Sequence, residues 1–178
     1  MKKIFVLLMA TGCFTVASAQ TFTLKSNDIG GQATQKQFLN AFGCTGENIS
    51  PQLSWENAPE GTQSFAVTMY DKDAPTGSGF WHWVVFNIPA NVTELKSASG
   101  DITKNLMPEG AIQSNTDGGR PGYGGPCPQP GPAHMYIITV YALKSTLTLD
   151  KNTTPAIVGL MINNNLIAKA SIIMYAQR

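Results

Sequence analysis

The chain has 178 residues, 43% of them hydrophobic, which suits a single domain with a sizeable core. Its formal net charge of +1 argues against a polyanion partner such as nucleic acid, so any anion would have to be held by a local site.

At the start of the chain, Lys2 and Lys3 precede the apolar stretch Ile4 to Ala10, and Ala17-Ser18-Ala19 precede Gln20. This is the layout of a secretory signal peptide. Residues 1–19 are therefore expected to be a leader cleaved after Ala19, and residues 20–178 the mature domain, periplasmic or secreted. The apolar stretch is well short of the roughly 20 residues that span a bilayer as a helix, and no later stretch reaches that length, so the domain is not expected to be transmembrane. Without the two leader lysines, ten basic residues face eleven acidic ones, a balance of −1. Cys13 follows Ala10-Thr11-Gly12, which resembles a lipoprotein processing site but lacks the Leu usual three residues earlier. Removal with the leader is expected rather than lipidation.

Cys44 and Cys127 remain as an even pair in an exported chain, where oxidising conditions favour a disulfide. The rival reading is a nucleophilic Cys127 served by His134. A bridge between them would close a loop of more than eighty residues, for which chain entropy gives about 4 kcal/mol, less any strain.

Along the rest of the chain, alternation is the clearest pattern and marks strands with one buried face. In Ser64 to Tyr70 the apolar set is Phe65, Val67 and Met69. Trp81 to Ile88 is apolar on both faces, as expected of a central strand. A Gly/Pro-rich stretch from Asp117 to Pro132 reads as a long ordered loop. Met135 to Leu143 alternates again through Tyr136, Ile138, Val140 and Ala142. A short helix is expected from Thr154 as N-cap and Pro155 as first residue, through Ala156 to Ile162, with Asn163-Asn164-Asn165 ending it. Leu166 to Ala176 reads as a final strand. The pattern predicts an all-β fold with a minor helix, an antiparallel sandwich of two sheets.

Chemistry concentrates at strand ends. In Tyr70-Asp71-Lys72-Asp73-Ala74-Pro75 the period of two sets Asp71 and Asp73 on one side. A turn through Ala74 to Gly79 would return the chain so that His82 lies next to Tyr70 and Asp71. Taken alone, the two aspartates would be turn caps bonding nearby N–H groups, and His82, between Trp81 and Trp83, a core histidine with one hydrogen bond. His134 and Tyr136, two apart at the start of a strand, should share a face. Just before them, "GYGGPCPQPGPAHMY" carries four prolines and four glycines. Such a loop is stiff where proline fixes φ and open to close approach where glycine stands, which suits a pocket wall with exposed N–H donors for an anion. The rival reading is a rigid surface loop pinned by Cys127. No G-x-S-x-G, P-loop, H-E-x-x-H or C-x-x-C motif occurs, and the Asp and His spacing matches no standard metal motif, so neither metal nor cofactor is expected.

These residues resemble the phosphatidylethanolamine-binding proteins, also called Raf kinase inhibitor-like proteins, and within them the exported bacterial YbhB/YbcL branch. "CTGENISPQLSW", "DKDAPTGSGFWHWVVFNIP" and "YGGPCPQPGPAHMY" are similar to three ordered motifs of that family, and the likeness covers nearly the whole mature chain. The resemblance implies two antiparallel sheets with Greek-key connections, a short C-terminal helix, and a small pocket for anionic groups. Its pocket residues would be Asp71, Asp73, His82, Gly125, Pro126, His134 and Tyr136. Lys72 replaces the family's Pro between the aspartates, loosening that turn or placing a cation at its mouth, and Met135 replaces a frequent Arg. The mammalian members' kinase-binding role does not transfer to an exported protein.

The expected function is a non-enzymatic binding protein for a phosphate, phospholipid-headgroup or carboxylate ligand. His82, His134 and loop amides would donate hydrogen bonds, and Asp71 would hold an imidazole. The alternative is a hydrolase or metal-dependent phosphatase using Asp71 or Asp73 with His82 as an acid–base pair. A third reading is an extracellular modulator or inhibitor of a partner protein. The sequence leaves that partner, a homodimer and the natural ligand open.

Overall fold

A computed structural model describes residues 20–178; the expected leader and Cys13 lie outside the described residues. The alternating stretches become the long strands. In chain order the elements are β1 (Thr23–Lys25), β2 (Leu53–Glu56), β3 (Ser64–Asp71), β4 (Phe80–Pro89), β5 (Glu94–Leu95), β6 (Ile112–Gln113), β7 (His134–Leu143), α1 (Pro155–Asn165) and β8 (Leu166–Ala176). They form two sheets, β1-β2-β5 and β6-β4-β3-β7-β8, with antiparallel pairing between neighbouring strands. β3 and β4 make a hairpin. The chain then leaves for β5 in the other sheet, touches β4 again as β6, and returns through residues 114–133 to lay β7 on the far side of β3.

Phe65, Val67 and Met69 of β3 point between the sheets, as their alternation predicts. There they meet Trp83, Val85 and Ile88 of β4, Ile138, Val140 and Ala142 of β7, and Leu53 and Trp55 of β2. The Trp55 and Phe65 rings lie 5.2 Å apart. On the outer face Ala66, Val84, Phe86 and Leu143 pack with Val158 and Ile162 of α1. β4 is apolar on both faces because one faces the second sheet and the other this helix-capped cluster.

Strict alternation fails twice along β4, where its pairing with β3 shifts register. Met69 opposes Trp83 but Tyr70 opposes Trp81, so His82 is an extra residue. The bulge lets His82 and Trp83, neighbours in sequence, both turn toward the second sheet, Trp83 into the core and His82 against Phe80 and Tyr136. The second shift brings Asn87 into the left-handed region at φ 56°. Its side chain exchanges hydrogen bonds with the backbone of Leu147, donating at 3.0 Å and accepting at 2.7 Å.

Helix α1 runs three residues beyond Ile162, where the asparagines were expected to stop it. Asn165 supports the last turn by donating from Nδ2 to Met161 O at 2.8 Å, while its Oδ1 accepts from Ser145 Oγ. Thr154 has the extended N-cap backbone but makes no side-chain cap bond. Cys44 and Cys127 are joined in a disulfide with Cα atoms 5.9 Å apart, so Cys127 is not the free nucleophile of the rival reading.

Candidate anion site at the sheet rim

The end of the large sheet nearest residues 122–126 carries the candidate residues in one row. Asp71, the last residue of β3, stands opposite Phe80 of β4 and opposite Tyr136 of β7, and Tyr136 stands opposite Met174 of β8. Residues opposite one another share a face, and so do residues two apart on one strand. His134 therefore joins Tyr136 from β7, and His82 joins Phe80 from β4. The next row is already apolar core: Met69 between Trp83 and Ile138.

Asp71 is 3% exposed, and both its oxygens are engaged. Oδ2 accepts from His134 Nδ1 at 2.8 Å, and Oδ1 accepts from the Asp73 N–H at 2.9 Å. The imidazole that Asp71 holds is thus that of His134, 63 residues away, not the hairpin neighbour His82. Asp73 closes the turn, with Oδ2 accepting from the Met135 N–H at 2.9 Å. Its Oδ1 pairs with the exposed Lys72, which with the Met135 N–H holds its carboxyl below the ordinary range. The cation expected at the mouth of the turn is therefore tied to Asp73. Turn-capping by Asp71 and Asp73 and a site at Asp71 coexist in one arrangement.

His82 donates from Nδ1 to Gly124 O at 2.8 Å, and the Gly124 N–H donates back to His82 O at 2.9 Å. Its ring meets the edge of Tyr136 at 5.1 Å and 68°, and lies 4.9 Å from Phe80. Burial pushes its imidazole below the ordinary value of 6.5, partly offset by the Gly124 and Gly125 carbonyls and by Asp71 and Asp117. Burial, and then the charge of Asp71, raise the Tyr136 phenol, which stays protonated.

The wall over these rings is anchored on several sides. The Gly125 N–H donates to Asn48 Oδ1 at 2.8 Å, Pro126 O accepts from the Leu39 N–H at 3.0 Å, and Cys127 is bridged to Cys44. A Cβ on Gly125 would lie 2.1 Å from Gln37 O, so only glycine fits there. The expected N–H donors of the wall are absent at its centre: the Gly124 and Gly125 amides are spent within the protein, and Pro126 has none. What the site offers a ligand is side chains. Among the described residues the ring hydrogen bonds of His82 and His134 run through Nδ1, which leaves their Nε2 atoms for a ligand, and the Tyr136 hydroxyl stands beside the Asp71 carboxylate.

The family model for phosphatidylethanolamine-binding proteins matches residues 30–177. The chain belongs to that family. It lies within the bacterial branch of YbhB and YbcL. Escherichia coli YbcL is 49% identical over 160 residues, covering 88% of this chain and 87% of that protein, and E. coli YbhB is 44% identical over 152 residues, covering 84% and 96%. The crystal structure of YbcL, described as a new member of the mammalian PEBP family, superposes with a TM-score of 0.86 at 47% identity, covering 88% of this chain and 98% of that one. A phosphatidylethanolamine-binding protein homolog from Chlamydia trachomatis gives 0.73 at 25% identity, covering 88% and 97%.

In this member of the family the ring hydrogen bond of His82 goes to a backbone carbonyl and not to Asp71 or Asp73, and the carboxylate–imidazole pair on this rim is Asp71 with His134. Among the described residues no group of three or more His, Cys, Asp and Glu side chains is arranged to hold a metal ion. Sequence reasoning missed Phe80, which flanks His82, and Asn48, whose side chain accepts from Gly125 and donates to Tyr123 O at 3.3 Å. The signal for Asn48 was its place inside the "CTGENISPQLSW" motif, since Asn tolerates the left-handed backbone it adopts at φ 54°. Two grooves of about 540 and 530 Å³ lie elsewhere, one beside Ile102, Leu106 and Leu149 and the other beside Thr34, Phe38 and Arg178.

Proposed function

We propose that the chain is an exported, non-catalytic binding protein whose rim pocket holds one small anion, a phosphate or phospholipid-headgroup-like group or a carboxylate. The observation that carries this reading is the gathering of His82, His134 and Tyr136 on one rim of the sheet behind an anchored wall, with both histidines bonded to the protein through Nδ1. A wall ordered before binding loses little entropy when a ligand arrives, so a few hydrogen bonds suffice to hold a small group. Asp71 keeps the His134 ring oriented with Nε2 outward, and Tyr136 supplies an O–H donor.

Titration calorimetry with phosphoethanolamine, inorganic phosphate and acetate at millimolar concentration tests the reading. Phosphoethanolamine should bind, and His134→Ala should weaken it by about tenfold or more, the scale of one hydrogen bond to a charged group. Absence of heat with all three ligands would overturn it. Export is tested separately: protein recovered from the periplasm or medium should begin at Gln20.

A further inference from the structure

His82 Nδ1 lies 2.8 Å from Gly124 O. A carbonyl oxygen has no proton to give, so the ring nitrogen donates in that bond. In a neutral imidazole the other nitrogen, Nε2, then carries a lone pair and no hydrogen. The ring's setting favours the neutral form: it is packed by Phe80 and Tyr136, and no carboxylate bonds to it. The charged and titratable groups around it are Asp71 of β3, His134 and Tyr136 of β7, and Asp117 of the loop. Asp71 is engaged by His134 and the Asp73 N–H, and Asp117 Oδ2 accepts from the Trp81 N–H at 2.9 Å.

We infer that His82 Nε2 is an obligate hydrogen-bond acceptor in the pocket, so that the pocket takes a phosphate monoester, which keeps a P–OH, in preference to a diester, which has none. The inference rests on the pocket reading above and deepens it. In the bound state the ligand's hydroxyl donates to His82 Nε2 while a phosphoryl oxygen accepts from Tyr136 Oη. His134 Nε2 accommodates either kind of ligand oxygen, as acceptor when its ring is neutral and donor when charged. A diester has only acceptor oxygens to set against the His82 lone pair, leaving two acceptors facing each other with no hydrogen between them. A partner left unpaired in a desolvated site costs on the order of tenfold in affinity.

The test compares methyl phosphate with dimethyl phosphate by calorimetry near pH 6, where a monoester retains much of its hydroxyl. Phosphoethanolamine against glycerophosphoethanolamine repeats the comparison for headgroups, and inorganic phosphate stands for a free-ion source. Sulfate, a dianion without a hydroxyl at that pH, controls for charge. The expected result is that the monoesters and phosphate bind at least about tenfold more tightly than the diesters and sulfate. Nitrogen-detected NMR of the unliganded protein should place the His82 ring hydrogen on Nδ1. Equal or tighter binding of the diesters or sulfate, or a hydrogen on Nε2, overturns the inference while the anion pocket stands. No binding by any of them overturns both.

Discussion

Burial holds the His82 imidazole below its ordinary value of 6.5, and the sign of its effect on stability follows. The unfolded chain takes up a proton as pH falls through 6.5, while the folded ring refuses it until a lower pH. The unfolded state therefore binds more protons in that window, and stability is full above 6.5 and declines as pH falls through the folded value. A His82→Phe variant should lose this part of the decline. Urea midpoints recorded from about pH 8 to about pH 5 will show it, and an unchanged slope would contradict a neutral His82. Asp73 and Asp101, exposed carboxyls held low by Lys72 and by Thr103 respectively, act in a separate window, their contribution being lost only as pH falls below 3.8. The two kinds of group can thus be told apart in one titration.

At the scale of elements, the wall over the rings depends on backbone meeting backbone at Gly125. A methyl group there would sit 2.1 Å from Gln37 O and 2.7 Å from Leu39 N, neither of which can swing aside as a side chain would. Gly125→Ala should cost about 1–3 kcal/mol or more in denaturant unfolding and loosen the wall, weakening phosphoethanolamine binding although no ligand contact is removed. Strands β3 and β7 were legible in the sequence because alternation there is unbroken, and it also set His134 and Tyr136 on one face. The partner of Asp71 was not legible. Local reasoning could fold the β3–β4 hairpin and bring His82 close, but the pairing of Asp71 with His134 depends on the register of β3 with β7, strands joined only by the long return. The engagement of the Gly124 and Gly125 amides was hidden for a related reason, since their acceptors, His82 O and Asn48 Oδ1, come from distant stretches. The extension of α1 through Asn165 turned on one asparagine amide bonding back to Met161 O, where composition favoured a stop.

For the whole molecule, the disulfide joins two segments 83 positions apart, one leading into β2 and the other into β7. Closing such a loop restricts the unfolded chain, so replacing both cysteines, Cys44→Ala with Cys127→Ala, should cost about 2–4 kcal/mol. The urea midpoint should fall in the variant and, to a similar extent, in the parent protein under reducing conditions. An unchanged midpoint would show that the packed sheets fix these segments without help. The register shift at His82 bears on how fold and site are coupled. Trp83, Val85 and Ile88 keep the core half of β4 in step with the second sheet, while Phe80 and His82 form the site half, and the two halves are out of phase by one residue. One surplus residue reconciles them. Removing it would leave Trp83, Trp81 and Phe80 in plain alternation opposite Met69, Tyr70 and Asp71, with the core half still seated but His82 gone from the site. Loss of one codon could therefore silence the pocket while the sandwich still folds, which makes the length of this hairpin as diagnostic of a working site as the histidine itself.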